Sequence, residues 1–94
     1  MDLKEAQKKV DKWFEKAGAE KWPKFVIFAR LVEEIGEISK CMNVKEGYQK
    51  KEVSNLNDEF GDALFTFILL ANEYDLDLNE VMEDVLEKYR KYIK

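Results

Sequence analysis

Phe60-Gly61-Asp62-Ala63-Leu64-Phe65-Thr66-Phe67-Ile68-Leu69-Leu70-Ala71 places apolar side chains on nearly every side of a helix. A helix that is hydrophobic all round must be covered all round. The stretch from Ala63 to Ala71 contains Thr66, and it falls far short of the ~20 apolar residues that span a bilayer. It therefore belongs at the centre of a folded body. The chain has 94 residues, which suits one small domain with a modest core. Three more helices can hardly wrap this one. The expectation is an all-α, four-helix-bundle subunit over residues 1–94, completed by homo-oligomerisation as a dimer or a tetramer. A monomer with this helix at its centre is the simpler alternative.

The rest of the chain reads as helix too. Proline occurs once, at Pro23, and glycine four times. Leu3, Ala6, Val10, Trp13 and Ala17 recur in steps of three and four, predicting a first helix from about Asp2 to Ala17. Asp2 with Glu5 forms a capping-box pattern, and Gly18 suits a helix stop. Pro23 fits the first turn of a second helix from about Lys24 to Asn43, with Phe28, Leu31, Ile35, Ile38 and Met42 on one face. A loop around Val44 to Tyr48 precedes a third helix from near Lys50 to near Tyr74. Its stripe is Val53, Leu56 or Asn57, Phe60, Leu64, Phe67, Ala71 and Tyr74. Asp77 and Glu80 repeat the capping pattern before a fourth helix from about Leu78 to Tyr92. Leu78, Val81 or Met82, Val85 and Tyr89 face its core, with Ile93 beyond.

Composition removes several kinds of chemistry. There is no histidine, which excludes Ser-His-Asp and Cys-His catalysis and histidine-ligated zinc or iron. A single cysteine, Cys41, allows no intrachain disulfide and no thiolate cluster. The formal net charge of -4 argues against binding a nucleic-acid polymer. It leaves room for a nucleotide held through metal ions, because the metal then supplies the positive charge. No membrane or secretory segment is visible, and the chain reads as cytoplasmic.

Two segments share one pattern: acid, large apolar residue, glycine, acid. They are Glu34-Ile35-Gly36-Glu37 on the second helix and Glu59-Phe60-Gly61-Asp62 on the third. Residues three apart lie on one face, so each segment presents two carboxylates one turn apart. Packed antiparallel, the two pairs converge as four. Like charges weaken a helix slightly, and each glycine costs on the order of 1 kcal/mol relative to alanine. Accepting both costs twice suggests a compensating cation. An all-oxygen ligand set suits Mg²⁺, with Mn²⁺ also possible. The glycines would let helices or substrate approach closely. The plain alternative is a set of solvated acids, with Arg30 and Lys40 neutralising Glu34 and Glu37 along their own helix.

Glu33-Glu34-x-x-Glu37 followed by Glu59-x-x-Asp62, with residues 38 to 58 between the motifs, resembles the MazG-like nucleotide pyrophosphohydrolases. Leu31-Val32-Glu33-Glu34-Ile35-Gly36-Glu37-Ile38, Asp58-Glu59-Phe60-Gly61-Asp62-Ala63-Leu64 and Leu70-Ala71-Asn72 leading to Asp77-Leu78 are similar to that family as well. The resemblance covers about residues 25 to 91. It implies a bundle that dimerises or pairs dimers. It implies hydrolysis of a ribo- or deoxynucleoside triphosphate between the α and β phosphates, giving a monophosphate and pyrophosphate. It implies Mg²⁺ held by Glu34, Glu37, Glu59 and Asp62.

Glu33 matches the first motif position. Glu33 or Glu37 is the candidate base that takes a proton from the attacking water. The family's last helix often reads Lys-Asn-Arg-Lys-Arg, whereas here Lys88-Tyr89-Arg90-Lys91-Tyr92 keeps the cations and replaces the asparagine. Lys88, Arg90 and Lys91 are thus phosphate-binding candidates, or simply a cationic last turn. Lys45, Lys50 and Lys51 in the connection are solvated lysines that could reach outer phosphates. Trp13, Trp22, Phe25 and Phe28 are core aromatics or a stacking surface for a base, Trp13 being the substrate-contacting candidate. The alternatives to an enzyme are a nucleotide sensor of the same fold without turnover, and a helical protein-interaction module.

Overall fold

The computed structural model describes residues 1–50 and 55–94. Among the described residues the regular structure is four α-helices: α1 (Leu3–Ala17), α2 (Lys24–Lys45), α3 (Leu56–Glu73) and α4 (Leu78–Arg90). Each boundary has a local cause. Asp2 Oδ1 accepts the Glu5 N–H at 2.8 Å and starts α1. Gly18, at φ 64°, stops it in a left-handed turn. Pro23 precedes α2, and Asp77 caps α4 through the Asn79 N–H at 2.9 Å.

The third helix starts later than the sequence suggested. Asn55 takes an extended backbone, and its side-chain oxygen accepts the Asp58 N–H at 2.9 Å. That cap fixes the start at Leu56, and Lys50 lies outside any helix. Val53 and Lys51 fall outside the described residues. Conversely, α2 runs on to Lys45, and α4 ends at Arg90 rather than Tyr92.

The helix α3 is the hub, packed on one flank by α2 and on another by α1, while α4 returns against α1. The core joins Val10, Phe14, Ile27, Ile68, Leu69 and Leu78. The apolar stripes are rotated from those the spacing favoured. On α1 the buried residues are Gln7, Val10 and Phe14, and Trp13 and Ala17 are exposed. On α2 Ile27 is fully buried, whereas Phe28 is 53% exposed and Ile35 and Met42 are exposed with it. On α3 Ile68, Leu69 and Ala71 go inward, leaving Phe60, Leu64, Phe67 and Tyr74 outside. On α4 only Leu78 is buried. The helix read as apolar on all sides is indeed covered on two of them and open on a third.

No helix among the described residues is long and apolar enough to cross a membrane.

Candidate functional site

Three carboxylates meet where α2 and α3 face each other. Glu34, Glu59 and Asp62 each bring one oxygen within 4.8 Å of the others. Their convergence follows from the antiparallel packing of the two helices. Arg30 and Glu34 share a cavity with Asp62, Thr66 and Leu69, so moving back along α2 corresponds to moving forward along α3. The one-turn spacing then stacks Glu59 and Asp62 on the side of α3 that meets Glu34. The Thr66 hydroxyl donates to the Asp62 carbonyl at 3.0 Å.

Glu59 is the unusual member. It is 6% exposed, and no Lys or Arg forms an ion pair with it among the described residues. Burial pushes its carboxyl above the ordinary range, and the charges of Glu37, Asp62, Glu34 and Asp58 push it the same way. Glu37 is close enough to act on Glu59 electrostatically, yet it lies outside the tight group of three. Its carboxylate faces Lys40 Nζ at 3.4 Å. Glu33 is exposed and outside the group as well.

Beside the carboxylates opens a cavity of about 390 Å³ that Glu34 and Asp62 line together with Trp13, Trp22, Phe65 and Arg30. Trp13 meets Phe65 edge-on, with ring centres 5.8 Å apart, and Phe14 edge-on at 5.0 Å. The expected substrate-contacting Trp13 thus stands at the cavity wall. Phe25 and Phe28 do not line it. Lys88, Arg90 and Lys91 are not brought to it within the chain. They line a separate recess with Glu87, which holds Arg90 through Nη2 at 3.0 Å. Lys45 and Lys50 are exposed elsewhere, and Lys51 lies outside the described residues.

Sequence reading missed Phe65 and Thr66 as wall residues and took Arg30 only as a neutraliser of Glu34. The signal was available: Arg30 precedes Glu34 by one turn on the same face, and Thr66 follows Asp62 by one turn. Asn72, part of the family-like stretch, is not at this site. It hydrogen-bonds Asp11 and the Gln7 backbone where α1 meets α3.

Residues 25–93 match the family model of the MazG nucleotide pyrophosphohydrolase domain. The chain belongs to that family. This MazG domain is 30% identical to YpjD of Bacillus subtilis over 91 residues, covering 93% of the chain and 82% of YpjD. It is 28% identical to YvdC of the same organism, covering 97% of the chain and 95% of YvdC. The crystal structure of B. subtilis YpjD superposes with a TM-score of 0.85 at 30% identity, over 95% of this chain and 93% of that one. The crystal structure of a Bacillus-conserved MazG protein, a nucleotide pyrophosphohydrolase, gives a TM-score of 0.81 at 29% identity, over 95% and 90% of the two chains. Membership makes this MazG domain a hydrolase of pyrophosphate bonds in nucleotides.

Proposed function

We propose that this MazG domain cleaves a ribo- or deoxynucleoside triphosphate between the α and β phosphates, releasing the monophosphate and pyrophosphate, with Mg²⁺ or Mn²⁺ held by Glu34, Glu59 and Asp62 and completed by Glu37. The observation that carries this is Glu59: a buried carboxylate among like charges, with no cation paired to it among the described residues, grouped with the Glu34 and Asp62 that line an aromatic-walled cavity. Buried charges of one sign are tolerated where a cation compensates them. The donor set fits a hard divalent ion, since every ligand atom is a carboxylate oxygen. Such an ion would neutralise phosphate charge and lower the pKa of the attacking water.

The residues supply the rest. Glu37 sits within electrostatic reach of Glu59 but outside the tight triad, and Lys40 faces only its Oε1, so its other oxygen is available to accept a proton. Glu33 is the alternative acceptor. Trp13 and Phe65 offer flat surfaces for the base, and the volume suits a nucleoside. Lys88, Arg90 and Lys91 reach a phosphate only from another subunit, because their own chain holds them apart from the acids.

Self-association is part of the proposal. The chain exposes 7677 Å², where a compact monomer of this mass exposes about 5,700 Å². The excess is roughly that of an obligate interface.

The test is pyrophosphate release from a panel of ribo- and deoxynucleoside triphosphates, with Mg²⁺ and with chelator. Metal-dependent release is expected, falling at least ~100-fold in Asp62→Ala. A protein that binds metal and nucleotide yet releases nothing would be a sensor. One that binds neither would be an interaction module.

A further inference from the structure

We infer that Arg30, held against the indole of Trp22, is the residue of this chain that grips the substrate's phosphates. The inference rests on the proposed function and adds a named hand for the anion. Four carboxylates offset the charge of a divalent ion, so a polyphosphate beside them gains from positive charge on the protein as well as on the metal. The basic residues at the end of α4 do not reach the cavity within the chain. Among the described residues, Arg30 is the cation that lines it, on the same wall as Glu34 and Asp62.

Its partners make the point sharper. Glu33 and Glu34 follow Arg30 by three and four residues, where helical ion pairs ordinarily form. Yet no ion pair joins Arg30 to either among the described residues. The guanidinium instead lies over the Trp22 ring, 5.0 Å from its centre. Stacking uses the flat face of the guanidinium and leaves its edge, with the N–H donors, open to the cavity. That edge matches two oxygens of one phosphate. Trp22 is itself placed by Pro23, whose ring sets the entry into α2. The arrangement positions a fork at the mouth of the cavity without spending its donors on a neighbouring acid.

Arg30 therefore discriminates by phosphate charge, favouring the triphosphate over the bare nucleoside. The experiment measures binding of an α,β-imido nucleoside triphosphate and of the matching nucleoside, each with Mn²⁺ present, alongside Mn²⁺ affinity and pyrophosphate release. Arg30→Ala is expected to weaken the imido triphosphate by about 10- to 100-fold. Nucleoside and Mn²⁺ affinities should stay within about 2-fold, and KM should rise more than kcat falls. Arg30→Lys should recover only part of the loss, because an ammonium keeps the charge without the fork. Trp22→Leu should give an intermediate loss by releasing the guanidinium. If the wild type is active and Arg30→Ala binds the imido triphosphate as tightly as it does, the inference falls and the enzyme stands. Equal losses for nucleoside and triphosphate would assign Arg30 to shaping the cavity and overturn it too. A wild type that neither binds nor hydrolyses nucleotides would sink the proposed function itself.

Discussion

Glu59 shows what a single buried carboxylate does to the whole chain. Its pKa is raised above the ordinary 4.5 in the folded protein. The folded state therefore holds this proton more tightly than the unfolded chain does. The contribution is fully present below the ordinary value and is lost as pH rises through the raised one. Metal-free protein should thus melt at lower temperature as pH climbs out of the acidic range. Glu59→Gln should flatten that slope and raise the melting temperature of metal-free protein near neutral pH. Added Mg²⁺ or Mn²⁺ should stabilise the wild type and not the variant. Thermal melts in chelator across about pH 4 to 8 check this, and a slope unchanged by the substitution would remove Glu59 from the account. Gly36 and Gly61 make the opposite lesson. Among the described residues a Cβ at either position meets nothing within 4 Å, so none of the four helices uses the space they leave. The close approach of helices offered by the acid-glycine pattern does not occur among the described residues of the subunit, which leaves approach of a substrate as its other reading. Gly61→Ala should stabilise α3 by about 1 kcal/mol, read by urea unfolding. A loss of stability instead would mean that another subunit seats itself against that glycine.

At the scale of elements, the helices and their stops were legible because the signals are local. Asp2, Gly18 and Asp77 act on the turn beside them as their positions suggest, while Pro23 stands just before α2 rather than in its first turn. The start of α3 was not, because a third helical stripe already ran back through Val53, and the cap at Asn55 overrides it. Which face goes inward was not legible either. Ile27, Leu31, Ile38 and Cys41 recur as regularly as Phe28, Ile35 and Met42, and periodicity cannot tell a core from an intersubunit face. On α1 a buried glutamine hid the true stripe. Gln7 Nε2 donates to Asn72 Oδ1 at 2.9 Å and to the Leu76 carbonyl at 2.7 Å, and its Oε1 accepts the Leu78 N–H at 2.9 Å. Asn72 answers by donating to the Gln7 carbonyl at 3.0 Å. This latch joins α1 to the α3–α4 turn, where Asp75 bends the chain at φ 54°. Gln7→Ala would strand the Leu78 N–H and two acceptors, so a loss of about 3 kcal/mol is expected in urea unfolding. The latch lies away from the carboxylate cavity, and activity per folded molecule should survive. A loss below about 1 kcal/mol would mean that water takes over the glutamine's bonds.

The meeting of Glu34, Glu59 and Asp62 could be read from sequence because the acidic pattern is written twice, though Glu37 stays outside the tight group; the cavity wall could not, because Trp13, Trp22 and Phe65 come from three segments that only the whole molecule brings together. The same whole-molecule view shows a subunit that is not closed on itself. Its radius of gyration is 16.0 Å, against about 12 Å for a compact chain of this length. The open surface is patterned. Phe25, Phe28, Val32, Ile35 and Met42 are exposed along α2, and Phe60, Leu64, Phe67 and Tyr74 along α3. Both rows advance in steps of three, four and seven, the repeat that keeps a seam facing a neighbouring helix. Charged side chains are missing from both rows, unlike an ordinary solvated face. A second copy fits this pattern, since identical rows can meet across a two-fold axis. Sedimentation should give a multiple of the 11.1 kDa chain mass, with a melting temperature that rises with protein concentration. Phe28→Glu combined with Leu64→Glu should yield a less stable species of single-chain mass. If the wild type already sediments as one chain with a concentration-independent melt, the exposed rows must be covered by something other than itself.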